Sequence, residues 1–192
     1  MWSTKSSTMN EMSDESLAQK VQAGDMEIFG ILVERFEQKM LRYARKFLFG
    51  YEDAEDAVQT VFLKAYSNIQ QFDSTKKFSS WLYRIAHNEF INVIKKKGKE
   101  SVPLFEIDTL FPHLEAKQNS ARDFELKELK DLMEKFLNQI SPKYREILVL
   151  YYFEQMGYTE IAEILKIPAS TVGVRLKRAK VALKKLIAIE HI

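Results

Sequence analysis

Cysteine is absent from all 192 residues, which excludes disulfides and thiolate metal sites and suits a reducing compartment. The three histidines, His87, His113 and His191, are scattered, and none stands at ligand spacing from another, so no metal is expected. No apolar run is long enough to span a bilayer. The opening MWSTKSSTMNEM also lacks the apolar stretch of a signal peptide, so the expectation is a cytoplasmic protein without membrane insertion. Strand and hairpin signals are missing throughout. So is a nucleophile set among clustered arginines, as a recombinase-type enzyme would need, and neither catalysis nor a cofactor is expected. A large excess of charge is missing too: the net charge is +2, which by itself argues for no particular partner.

What is present is 46% hydrophobic residues, enough for one medium core or two small ones, and a patchy distribution of charge. The most informative stretch is GYTEIAEILKIPASTVGVRLKRAKVALKK, residues 157–185. Ile161, Ala162 and Leu165 line one side of a first helix with Gly157 as N-cap, a turn falls at Lys166-Ile167, and Pro168 suits the first turn of a second helix. In that helix Val172, Leu176, Ala179 and Leu183 recur on the inner side. The outer side carries Ser170, Thr171, Val174, Lys177 and Arg178, and Arg175, Lys177, Arg178, Lys180, Lys184 and Lys185 follow one another with no acid before Glu190. Short hydroxyls near a helix start, followed by basic residues, fit a recognition helix that offers its first turns to base edges and its flanks to phosphates.

Upstream, a short helix is expected from Ser13 to near Gly24, and a longer one capped by Asp25 and ending around Gly50. Between Glu52 and Ile69 an unbroken apolar stripe runs through Ala54, Ala57, Val58, Val61, Phe62, Ala65, Tyr66 and Ile69. Opposite it stand Glu52, Asp56, Gln59 and Leu63, an acid and amide row ending in a leucine, which reads as a docking face. The helix from Ser79 to about Lys97 buries Leu82, Ile85, Ala86 and Val93. It gathers Trp81, Arg84, Asn88, Asn92 and Lys95 on another face, a combination suited to stacking bases and bonding their edges in a single strand. From Glu100 to Asp123 periodicity fails and acids predominate, as in a linker. Helical pattern returns at Phe124, and Ser141-Pro142 opens a further helix through Ile147, Leu148, Tyr151 and Tyr152.

Three stretches, EDAEDAVQTVFLKAY, FSSWLYRIAHNEFINVIKKK and ISPKYREILVLYYFEQMGYTEIAEILKIPASTVGVRLKRAK, taken together resemble the sigma-70 family of bacterial RNA polymerase sigma factors, and within it the extracytoplasmic-function (ECF) subgroup. The resemblance covers roughly residues 13 to 186. It implies an all-α chain of two small helical domains joined by an acidic linker, with a helix-turn-helix in the second. The expected boundaries are a mobile N-terminus at 1–12, a region 2 domain at 13–99, the linker at 100–122, a region 4 domain at 123–187 and a tail at 188–192.

The resemblance also implies that Glu52, Asp56, Gln59 and Leu63 bind core RNA polymerase. Asn68, Trp81, Arg84, Asn88, Asn92 and Lys95 would engage the -10 element and its opened strand, and Ser170, Thr171, Val174, Arg175, Lys177, Arg178 and Lys180 would read the -35 element. An anti-sigma factor is a further implied partner. Gly173 and Val174 depart from the basic and hydroxyl residues that many relatives carry there, so the -35 sequence does not transfer from them. The alternative is a polymerase-independent helix-turn-helix regulator, which leaves the acid and leucine row without a use.

Overall fold

The computed structural model describes residues 11–48, 54–97 and 135–190. Within them every regular element is helical, in keeping with the missing strand signals. The linker, Glu52, and the start of the helical pattern at Phe124 lie outside the described residues.

Helix α1, Asp14–Gln22, starts where Ser13 leaves the helical conformation and its hydroxyl accepts the Ser16 N–H at 3.2 Å. Asp14 and Glu15 sit at its positive end and Lys20 at its negative end, the favourable placement on both counts. Gly24, at a φ of 107°, makes the turn that follows. Asp25 precedes a 3-10 turn at Met26–Ile28 rather than capping the long helix, and its side chain makes no cap bond. Helix α2, Phe29–Phe47, buries Phe29, Leu32, Phe36, Met40, Tyr43, Ala44 and Phe47, ending a little before Gly50.

Helix α3, Ala54–Ser67, turns Ala54, Ala57, Val58, Val61, Phe62 and Ala65 inward as its periodicity predicts. Tyr66 is an exception: it is 41% exposed, lying at the margin with its ring edge-on to Phe29, where one residue of phase carries it past the stripe. A 3-10 turn, Ile69–Gln71, then leads to helix α4, Phe78–Lys97. Gln22 fixes this connection by donating to the carbonyls of Ile69 and Phe72. Glu15 in α1 accepts the Phe78 N–H at 3.0 Å, satisfying an otherwise orphaned donor at the start of α4.

The described part of the second domain opens with Phe136, Leu137 and Ile140 buried around a 3-10 turn at Leu137–Gln139. Helix α5, Pro142–Leu148, starts after Ser141 with proline at its first position, as Ser-Pro predicts, although the Ser141 hydroxyl makes no cap bond. It widens into a π-helical turn, Val149–Phe153, which periodicity did not predict. Helix α6, Tyr158–Leu165, matches its expected bounds. Its Glu160 carboxylate reaches back to the Gly157 N–H, and Lys166 closes the helix in the left-handed region at a φ of 52°. Helix α7, Ala169–Glu190, follows directly, and the Pro168 carbonyl accepts from Thr171 and Val172.

The two domains pack together: α2 lies against α5 and the π turn, and α4 lies along α6.

Candidate polymerase and nucleic-acid interfaces

The helix-turn-helix of α6 and α7 is held by Ile161, Ile164, Leu165, Val172, Leu176, Ala179 and Leu183, all buried. Every one of the four inner positions predicted for α7 is among them. On the outer side Ser170 and Lys180 are exposed, Val174 is 43% exposed, and Thr171, Arg175, Lys177 and Arg178 are half-buried. The Lys180 ammonium stands over the rings of Tyr151 and Tyr152, 5.8 and 5.4 Å from their centroids, so a cation-π contact fixes where this charge is presented.

Gly173 faces the Tyr158 ring. A β-carbon there would meet Cε2 at 3.4 Å, which is ordinary contact, so glycine is not required by the packing. Gly173→Ala is therefore expected to raise stability by about 0.5–1 kcal/mol through helix propensity alone. Urea denaturation of the two proteins checks this, and a loss of stability would show that the Tyr158 ring cannot give way.

On α3, Asp56 and Gln59 are exposed and Leu63 is 68% exposed, the most open large apolar side chain among the described residues. The expected row thus stands on the surface from Asp56 onward. On α4, Asn88, Asn92 and Lys95 are exposed and Arg84 is half-buried. Lys95 and Asn92 line a cavity of about 540 Å³ with Lys64, Glu89 and Lys96, where Lys64 and Glu89 form an ion pair. Asn68 bonds the Lys64 carbonyl at the end of α3 and accepts from Gln71.

Trp81 must be corrected. It is 9% exposed, its ring centroid lying 5.3 Å from that of Phe72 and 5.6 Å from that of Phe78. The spacing that sets it in line with Arg84 and Asn88 is real, but it stands in the first turn of α4. There the loop bearing Phe72 folds over it, and the ring packs into the core instead of offering itself to a base. Ile85 and Val93 are likewise half-buried rather than buried.

Sequence reasoning missed a set of polar residues between the domains. Glu146 of α5, buried, accepts the Tyr43 hydroxyl of α2 at 2.6 Å and contacts His87 Nδ1 of α4. Glu154, just past the π turn, takes a two-pronged hydrogen bond from Arg42 at 2.8 and 2.7 Å and another from the Tyr83 hydroxyl at 2.5 Å. Arg145, buried beside Glu146, donates to the Phe47 carbonyl at the C-terminal end of α2 and to the carbonyls of Asn138 and Ile140. At the rim Lys77 pairs with Glu160 at 2.6 Å.

Burial pushes the Tyr43 and Tyr83 hydroxyls well above the ordinary phenol range, the charges of Glu146 and Glu154 adding to it, so both are held as donors. The Glu154 hydrogen bond raises Arg42, and the Lys77 hydrogen bond lowers Glu160. One signal was legible: Tyr43 falls three residues after Met40 on the inner side of α2, a polar tip at a core position that calls for a partner.

A two-domain helical protein with an open basic helix-turn-helix and a separate domain bearing an exposed acid, amide and leucine row has the layout of a transcription initiation factor. Residues 32–100 match sigma-70 region 2 and residues 130–183 match sigma-70 region 4. The ECF RNA polymerase sigma factor SigW of Bacillus subtilis (strain 168) is 33% identical over 181 residues, which cover 91% of this chain and 97% of that protein. The ECF RNA polymerase sigma-E factor of Escherichia coli (strain K12) is 28% identical over 180 residues, 90% of this chain and 93% of that one. Among solved structures, CnrH in complex with the cytosolic domain of CnrY aligns with a TM-score of 0.68 at 25% identity, covering 93% of this chain and 99% of that chain. The sigma factor RpoE from Bartonella quintana, in complex with the anti-sigma factor NepR, aligns with a TM-score of 0.56 at 27% identity over 82% of this chain and 99% of that one. The chain belongs to the ECF subgroup of the sigma-70 family.

Proposed function

We propose that this sigma factor divides its work between its domains, region 2 spanning 13–99 and region 4 spanning 123–187. Asp56, Gln59 and Leu63 dock on core RNA polymerase, and Glu52 is assigned to the same partner. Arg84, Asn88, Asn92 and Lys95, with Asn68 at the edge, engage the -10 element, while Trp81 supports that face from within. Ser170, Thr171, Val174, Arg175, Lys177, Arg178 and Lys180 meet the -35 element. The observation that carries the reading is Leu63, an exposed leucine closing an acid and amide row on a domain separate from the helix-turn-helix. A regulator acting without polymerase has no use for such a face.

The chain works without chemistry of its own, in the cytoplasm, where core polymerase and promoter DNA are its partners. No described helix is long and apolar enough to cross a membrane. An anti-sigma factor is a further partner, a reading supported by the anti-sigma complex of the B. quintana relative. Run-off transcription with purified core polymerase tests the proposal: transcription initiated at a specific promoter only when this chain is present supports it, and polymerase-independent DNA binding without initiation overturns it.

Within the -35 reader, Arg178 is assigned to a base and Lys180 to a phosphate. Arg178→Ala is expected to relax preference at one base pair by about 1–3 kcal/mol, whereas Lys180→Ala weakens all sequences alike and lowers the salt slope by about one. Binding-site selection and salt titration separate the two. A wild-type preference at every position for Arg178→Ala would move base reading to Arg175 or Lys177.

A further inference from the structure

A buried carboxylate stands beside the residues of α4 assigned to the -10 element. Glu89 follows Asn88 in the helix, but its side chain is only 11% exposed and meets α3. Lys64 of α3 donates to its Oε2, and no other described residue bonds it. With Asn92, Lys95 and Lys96 the pair lines the cavity of about 540 Å³. As a source of stability the arrangement is poor. The Lys64 side chain is 48% exposed, so its charge is shared with water and compensates only part of what desolvating Glu89 costs. An apolar residue in place of Glu89 would serve the packing of α3 on α4 at least as well.

The lining gives the chemistry of an occupant. Three ammoniums and an amide surround one carboxylate, which suits a ligand that brings negative charge together with hydrogen-bond donors. Phosphate alone supplies the charge and is repelled by Glu89. A nucleotide supplies both, and the volume falls in the range of about 300–1,000 Å³ typical of small-ligand sites. Among the four bases only guanine offers two adjacent donors, N1–H and the N2 amine, at the spacing that the two oxygens of a carboxylate accept. Cytosine and adenine set a single amine beside an acceptor nitrogen, whose lone pair repels the second oxygen. Thymine has one N–H between two carbonyls. Guanine also carries O6 and N7, acceptors that a lysine can reach. Such donor edges are open in an unpaired strand, and Asn92 and Lys95 belong both to the cavity and to the face of α4 assigned to that strand.

We propose that this cavity holds one unpaired guanine of the opened promoter strand, with Glu89 as the residue that specifies the base. The carboxylate accepts N1–H and the N2 amine, while Lys64, released from Oε2, and Lys96 meet the flanking phosphates. The assignment rests on the reading of α4 as the -10 face. In the free chain Lys64 stands in for the base, satisfying the acid until an edge with two donors replaces it.

Strand binding by the full chain assembled with core polymerase, with core alone as baseline, tests the assignment. Labelled thymidine strands carrying a single guanine, inosine, adenine or cytosine are compared by fluorescence anisotropy. The guanine strand is expected to bind roughly tenfold or more tighter than those with adenine or cytosine. Inosine, which keeps N1–H and lacks the N2 amine, should fall between. Glu89→Gln should move the preference from guanine to adenine, because an amide donates and accepts where a carboxylate only accepts. A purely structural role for Glu89 would change affinity for all strands together and leave their order as it was. Lys96→Ala should weaken every strand alike and lower the salt slope by about 0.7. Strands bound equally whichever base they carry, or a guanine preference unchanged in Glu89→Gln, overturn the guanine pocket and leave the -10 assignment of α4 standing. Binding of no strand overturns both. Guanosine monophosphate that displaces the guanine strand at equal concentration would give the cavity to a free nucleotide and overturn its place in the opened strand.

Discussion

Leu63→Asp is expected to lose core polymerase binding by about 2–4 kcal/mol, a weakening on the order of 30- to 1000-fold, while the fold stays intact. The side chain is 68% exposed, so its replacement costs the free protein no more than about 0.5 kcal/mol. Against the polymerase the same change sets a carboxylate at the apolar end of a row that already carries Asp56, where it must be desolvated without a partner. A pull-down with core polymerase measures the first effect and thermal denaturation the second. Unchanged affinity would remove the docking role from α3.

Trp81→Ala is expected to fail in stability before it fails at the promoter. The ring sits at 9% exposure between Phe72 and Phe78, and Phe78 in turn stands edge-on to Phe36 of α2. Truncation opens a cavity where α2, α4 and the loop before α4 meet. The expected cost is about 3–5 kcal/mol, seen as a Tm roughly 10 °C or more lower. Trp81→Phe, which refills most of the space, should recover most of that loss. A Trp81→Ala protein of wild-type stability but defective in permanganate-detected strand opening would return the ring to the DNA face.

These two residues also mark how far the sequence could be read. Leu63 was legible because an amphipathic helix assigns nearly every position to a side, and a leucine opposite a long apolar stripe has only solvent to meet. Trp81 was misplaced by the same rule, since helical spacing gives the angle of a residue about its axis and says nothing of what folds over the end of the helix. Phe72, nine residues upstream, makes the difference. The helix-turn-helix emerged almost whole, as its signals are local: Gly157, Pro168, and apolar positions three and four apart. The interdomain contacts could not, because Tyr43 and Glu146 are 103 positions apart and no periodicity links them. The π turn was hidden for a related reason: Val149–Phe153 is all apolar or aromatic, so its pattern fits more than one helical pitch.

That turn sets the phase between Glu146 and Glu154, the two acids that meet α2 and α4. In an unbroken α-helix, residues eight apart such as Glu146 and Glu154 are rotated about 80° from one another, because two full turns take about 7.2 residues. The Glu154 N–H instead closes on the Val149 carbonyl, five residues back, and the wider turn takes up the surplus rotation. Both carboxylates then meet the same two helices, Glu146 at Tyr43 and His87, Glu154 at Arg42 and Tyr83. Deleting a single residue from Val149–Phe153 would restore an ordinary pitch and act like a slipped gear tooth: Glu154 would swing away from Arg42, and everything downstream, α6 and the reading helix α7 included, would be turned about the axis of α5 while each kept its own sequence and fold.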